Sequence, residues 1–134
     1  KLREANMVAM ERLAFEGSKV VGYLCCAKMA NPSDWWVLSV LVVSSSHRKK
    51  GIGRELVYRG MNHARRENAP AVVVVGDPAY FAQVGFSQSA ARNLEVPFAA
   101  EFTSLYPIAP GTGLSRHTLV YPDAFTPYSD VPSV

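Results

Sequence analysis

Val40-Leu41-Val42-Val43-Ser44-Ser45-Ser46-His47-Arg48-Lys49-Lys50-Gly51-Ile52-Gly53 is the stretch whose reading decides the fold. An apolar run of strand character passes through three serines into a basic loop, and glycines flank Ile52 where a helical pattern begins. The first turn of a helix leaves its backbone N–H groups without intrahelical partners, so an anion placed there finds donors and the favourable end of the helix dipole. Glycine at 51 and 53 lets a ligand come close to the main chain. The layout therefore reads as an anion-binding turn, with an ordinary strand-to-helix turn as the competing reading of the two glycines alone.

Two better-known phosphate loops do not fit. No Gly-Lys-Ser/Thr closes the stretch, so it is not a Walker loop, and the third glycine and distal acidic residue of a dinucleotide fingerprint are absent.

Downstream, Ile52, Leu56, Val57, Met61 and Ala64 recur at helical spacing while Arg54, Glu55, Arg59, Asn62 and Arg66 fall elsewhere on the wheel, which predicts an amphipathic helix over residues 53–68. Ala69-Pro70 ends it. Residues 71–75 form an unbroken apolar run of the kind a strand buried on both faces shows. Strand, helix and buried strand make a parallel crossover unit. Upstream, residues 7–16 and 20–29 read as strands joined by a turn at Gly17-Ser18-Lys19, and residues 35–43 as a third strand after Asn31-Pro32. Asp77-Pro78 is a helix start and Gly85 a stop, bounding a helix of under two turns at residues 79–84 before Phe86 opens a further strand. In the proline-rich remainder only residues 101–106 and 117–121 read as strands.

At 134 residues and 49% hydrophobic composition the chain suits one domain with a real core, a core at residues 1–121 and a surface tail at 122–134. Its apolar runs fall far short of the roughly 18 residues of a membrane span, and the expected setting is soluble and cytoplasmic. Cys25 and Cys26 are adjacent, a poor geometry for a disulfide, and His47, His63 and His117 show no ligand spacing with them, so no metal is expected. The net charge of +3 is local: Arg48, Lys49, Lys50, Arg54, Arg59, Arg65 and Arg66 lie in one loop and helix, while acidic residues outnumber basic ones elsewhere. A phosphorylated ligand suits the cluster at 48–50. A nucleic-acid surface is the weaker reading, since no aromatic residues interleave with these charges.

The ordered set of Leu41-Val42-Val43, Arg48-x-x-Gly51-x-Gly53, amphipathic helix, buried strand and short helix closing on Gly85-Phe86 resembles the GCN5-related N-acetyltransferase (GNAT) superfamily. Gly76-Asp77-Pro78-Ala79-Tyr80-Phe81, then Val96-Pro97-Phe98 and Val120-Tyr121-Pro122-x-Ala124-Phe125, are similar to its YhbS-like branch, and the likeness covers about residues 7–125. The resemblance implies a mixed α/β (α+β) fold: a mostly antiparallel sheet, splayed at its centre, with helices on both faces. It also implies an N-terminal strand and helices, of which residues 1–6 would be a remnant. Those helices commonly wall the acceptor site, so either the sequence is incomplete or the acceptor site is unusually open.

The function implied is transfer of an acetyl group from acetyl-CoA to a primary amine of a small molecule or protein, by direct attack. The diphosphate of acetyl-CoA would lie on the amides of Arg48, Lys49, Lys50, Gly51, Ile52, Gly53 and Arg54, with the pantetheine arm beside Leu41, Val42 and Val43. A backbone N–H at the end of the strand, near Val42 or Val43 with Val43 the candidate, would donate to the developing oxyanion. The family's usual tyrosine falls at Phe81 and its frequent asparagine at Val74, so the neighbouring Tyr80 is one candidate acid, with proton delivery from water, or none for a good leaving group, as the alternatives. Glu11, Glu16, Asp34 and His47 are conceivable bases without a motif behind them; of Trp35 and Trp36, one should be core and the other line a groove. The partners expected are acetyl-CoA and an amine acceptor, with no nucleic acid, no membrane, and a homodimer left open. A non-catalytic acyl-CoA-binding module is the alternative, permitted by Phe81.

Overall fold

In the computed structural model, residues 7–123 and 125 are described. Five strands lie side by side in chain order: β1 (Val8–Glu16), β2 (Lys19–Lys28), β3 (Trp36–Val43), β4 (Ala71–Val75) and β5 (Thr103–Pro107). The pairings β1/β2, β2/β3 and β4/β5 are antiparallel, and β3/β4 is parallel. Helix α1 (Ile52–Arg66) makes the crossover between β3 and β4, and α2 (Pro78–Ala82) follows β4. The mixed, mostly antiparallel sheet that the sequence predicts is thus present.

Alternation along the strands divides the core. Leu24, Cys26, Leu38, Val72 and Val74 face Leu56, Val57, Met61 and Ala64 of α1 together with Phe81 and Phe86. Ala27, Val37, Val73 and Val75 face the other way, against Leu105 and against Ala91, Leu94, Leu119 and Tyr121 from the irregular C-terminal half. Both α-helices therefore pack on one face, and a 3-10 turn at Ser89–Ala91 helps cover the other. All five residues of β4 are buried, and each valine there contributes about 1.5–3 kcal/mol of burial free energy. Gly60 lets α1 lie close to the sheet, because a Cβ there would stand 2.5 Å from Leu24 Cδ2. At its far end α1 is tied to β5, where Arg65 Nη2 donates to the Tyr106 hydroxyl at 2.6 Å.

Several expectations need correction. Residues 117–121 form no strand of the sheet: Thr118 bridges Glu95 and Val120 bridges Asn31, each once, so the segment is held by loops rather than by a ladder. Phe86 turns inward as expected, but the strand it was to open amounts to a single bridge, Ser87 to Leu105, before the 3-10 turn intervenes. Trp35 and Trp36 do point to opposite faces, yet both are buried in the core, one in each layer. Cys25 and Cys26 are both buried and free, and burial pushes the Cys26 thiol well above the usual range. The segments around Phe98 and Tyr121 meet: the Tyr121 ring stacks at 5.2 Å on Phe98 and 4.6 Å on Phe125. The expected helical remnant at residues 1–6 and most of the expected tail lie outside the described residues.

Candidate coenzyme site

The site begins with an interruption. Cys25 faces Val40 but Cys26 faces Leu38, so Ser39 is an extra residue in β3, a bulge, and its hydroxyl donates to the Cys25 carbonyl at 3.2 Å. A bulge bends its strand and sharpens the twist. The parallel ladder to β4 runs only from Trp36–Val72 to Leu38–Val74 and stops there. Beyond it β3 continues on β2 alone, and the two central strands part as the resemblance implied.

Which main-chain groups face the opening follows from ladder alternation. Ser44 N–H donates to Val21 O at 2.8 Å, so the ladder places Val42 with its N–H and C=O toward β2 and Val43 with its own toward β4. The side chains of Leu41 and Val43 are buried, whereas Val42 is half exposed. Of Val42 and Val43, both near the strand end, only Val43 therefore presents its backbone to the gap.

After β3 the chain makes a 3-10 turn at Ser45–His47 and then the basic bend. Lys49 (φ +64°) and Gly51 (φ +83°) both adopt the left-handed conformation, and Gly51 is the N-cap of α1. Glycine supplies no capping side chain, and the first intrahelical bond runs from Glu55 N–H to Gly51 O at 3.0 Å. Ile52, Gly53 and Arg54 thus carry their amides ahead of that bond, at the positive end of a 15-residue helix. Lys49, Lys50 and Arg54 are exposed around them. The Ile52 side chain packs on the core and Gly53 is buried, so these two residues offer only main chain to a ligand. Arg48 does double duty: it lies at the surface, yet its Nε donates to Val43 O at 3.3 Å and ties the bend to the strand end.

The short helix α2 supplies the other wall. Asp77 caps it by accepting from Ala79 N–H at 3.1 Å, and Pro78 occupies its first position, as the sequence predicts. Phe81 is wholly buried, edge-on to Phe86 at 5.6 Å, and a Cβ on Gly76 would lie 2.7 Å from its ring. The Tyr80 ring stands at 90° to it. Among the described residues the Tyr80 hydroxyl has no hydrogen-bond partner although the oxygen is buried. Burial raises its pKa, partly offset by the charge of Arg54, so the phenol keeps its proton. Between these helices lies a cleft of about 460 Å³ lined by Gly51, Arg54, Glu55, Tyr58, Gln83 and Val84.

The four conceivable bases separate. Asp34 precedes β3 and lies a whole strand, ~26 Å, from its C-terminal end. Glu11 accepts from the Tyr23 hydroxyl across the hairpin. Glu16 and His47 are bound to each other, Oε1 to Nε2 at 2.8 Å, and His47 Nδ1 meets Ser46 Oγ at 3.0 Å. Both ring nitrogens of this buried histidine are engaged within the protein, which leaves no lone pair for a substrate. Sequence reasoning missed the bulge and these two tethers. The lone polar residue inside the apolar run of β3, Ser39, was the available signal for the first.

Among the described residues no three His, Cys, Asp or Glu side chains gather as a metal site, and no helix is long and apolar enough to cross a membrane. Against known proteins, the Acetyltransferase (GNAT) family profile matches residues 2–86, more than half of the chain. The chain belongs to the GNAT family. YhbS of Escherichia coli K12, an uncharacterized N-acetyltransferase, is 29% identical over 97 residues, which cover 69% of this chain and 58% of YhbS. This GNAT chain thus spans less than two thirds of that relative's length. In fold it superposes on the crystal structure of Escherichia coli YhbS in complex with CoA with a TM-score of 0.81 at 22% identity, over 99% of this chain and 77% of the other. A GNAT acetyltransferase from Brucella melitensis in complex with acetyl-CoA gives 0.75 at 21% identity, over 93% and 73%.

Proposed function

We propose that this GNAT chain transfers an acetyl group from acetyl-CoA to a primary amine by direct attack. The observation that carries the reading is the uncapped start of α1: amides of Ile52, Gly53 and Arg54 behind a left-handed Gly51, ringed by Lys49, Lys50 and Arg54. That donor set suits a diphosphate, and the parting of β3 from β4 leaves a place beside Val43 for the pantetheine arm. The CoA and acetyl-CoA held by two proteins of the same fold support the same ligand here.

The thioester supplies the acyl group, and a neutral amine takes it with release of the thiol. In this reading the Val43 N–H donates to the carbonyl oxygen as it gains charge. Tyr80, whose buried phenol stays protonated, gives its proton to the departing sulfur, and the proton lost by the amine goes to water. Phe81 has no proton to give and is sealed in the core, so the usual tyrosine position takes no part.

Incubating the protein with acetyl-CoA and a panel of primary amines, with free thiol as readout, tests the proposal. Amine-dependent thiol release is expected. Saturable coenzyme binding without any such release would instead make the chain a non-catalytic acyl-CoA-binding module.

A further inference from the structure

His47 and Glu16 stand apart from the chemistry just described, yet they join the end of the β1–β2 hairpin to the basic bend. Glu16 is the last residue of β1, where the hairpin turns. His47 is the last residue of the 3-10 turn, immediately before the basic bend. The imidazole is buried while the carboxylate side chain is 69% exposed, so the histidine is the packed member and the glutamate reaches over it. Nε2 is 2.8 Å from Glu16 Oε1 and Nδ1 is 3.0 Å from Ser46 Oγ, which fixes the ring in rotation as well as position. With Arg48 bound to Val43 O, the bend is fastened at consecutive residues to the hairpin and to β3.

We propose that His47, held by Glu16, is a positioning residue for coenzyme binding: it sets the pose of the bend so that the amides of residues 52–54 converge on the diphosphate. The inference rests on the reading of that bend as the coenzyme site. The physical need is plain. Lys49 and Gly51 both occupy left-handed backbone conformations, and such a bend persists only where its surroundings over-determine it. Amides aimed at an anion lose their effect with small misplacement. Serine 45 and the lysines at 49 and 50 are exposed and supply no such restraint. Of the bend and the turn before it, His47 is the residue buried against the rest of the protein. The carboxylate of Glu16 is held below the usual range, first by its hydrogen bond to His47 and then by the charges of His47, Lys50 and Lys19, which agrees with a partnership made in the folded protein.

The test uses the full chain and coenzyme A itself. Glu16→Ala, Glu16→Gln and His47→Ala are compared with wild type by calorimetry, by acetyl-CoA and amine kinetics, and by amide NMR of Gly51 and Gly53 without ligand. Loss of the pair is expected to raise Kd for coenzyme A and KM for acetyl-CoA by about tenfold, with kcat and the amine KM within about twofold of wild type. The Gly51 and Gly53 amide signals should shift in the free protein. Glu16→Gln retains an acceptor for Nε2–H and should lie nearer wild type than Glu16→Ala. Because the Glu16 side chain is mostly exposed, its substitution leaves no buried hole, and it decides the matter if His47→Ala fails to fold. Wild-type Kd and unmoved glycine signals in Glu16→Ala overturn the inference while leaving the coenzyme site in place. No binding of coenzyme A to the wild type overturns the coenzyme reading first and this inference with it.

Discussion

Leu38 faces Val74 in the last rung between β3 and β4, and the next residue of β3, Ser39, is the bulge that ends the ladder. The gap in the sheet is therefore a built feature of one strand. Beyond it, ladder alternation assigns Val42 to β2 and leaves Val43 facing the opening, with its carbonyl accepting from Arg48.

Hydrogen exchange on these neighbours gives the first prediction. The Val42 amide, engaged with β2, should exchange slowly with or without ligand. The Val43 amide should exchange quickly in the free protein and slow by about tenfold or more with saturating acetyl-CoA. Equal protection of both amides in the free protein would contradict the assignment.

Gly51 carries the second. Its φ of +83° is unfavourable for any residue with a Cβ, although no atom stands within 4 Å of where that Cβ would be. Gly51→Ala should cost about 1–2 kcal/mol through the backbone alone, read by denaturant unfolding. If the strain is relieved by reshaping the bend, coenzyme affinity falls by about tenfold as well. Gly51→Val, being β-branched, should exceed it in both measurements.

Tyr80 carries the third. A proton donor must be protonated, so kcat should fall as pH rises through the phenol's pKa, which burial places above the ordinary tyrosine value of 10. Tyr80→Phe should lower kcat by about 100-fold with little change in KM, and remove that alkaline limb. An unchanged profile would take Tyr80 out of the reaction.

The Glu16–His47 pair carries a fourth, in stability against pH. Because the folded-state pKa of Glu16 lies below its ordinary 4.5, the pair's contribution is fully present above that value and is lost as pH falls through the folded pKa. The difference in Tm between wild type and Glu16→Gln should shrink as pH falls below the ordinary carboxylate range. It should also shrink in high salt, since the carboxylate is solvent-exposed.

Much of this architecture was legible in the residues because local and tertiary preferences agree. The period of Leu56, Val57, Met61 and Ala64 gave α1 its buried face, and the five apolar residues of β4 meet a core on either side. Asp77 and Pro78 started α2 where such residues do. What escaped depends on contacts distant in the chain. Residues 117–121 have strand composition, but their partners are the loop residues Glu95 and Asn31, so composition misled. The pairing of His47 with Glu16 spans 31 positions, and no spacing rule links a hairpin end to a loop beyond another strand. The burial of Trp35 likewise needed the second layer, built by the irregular C-terminal half, to be seen.

The central claim is that the bend entering α1 grips the diphosphate of acetyl-CoA. Titrating coenzyme A into the wild type and into Gly51→Val by calorimetry tests it most directly. The account predicts saturable one-to-one binding by the wild type that is strongly weakened in a folded Gly51→Val protein. No heat of binding at millimolar coenzyme A, or equal affinity in the two proteins, would contradict it.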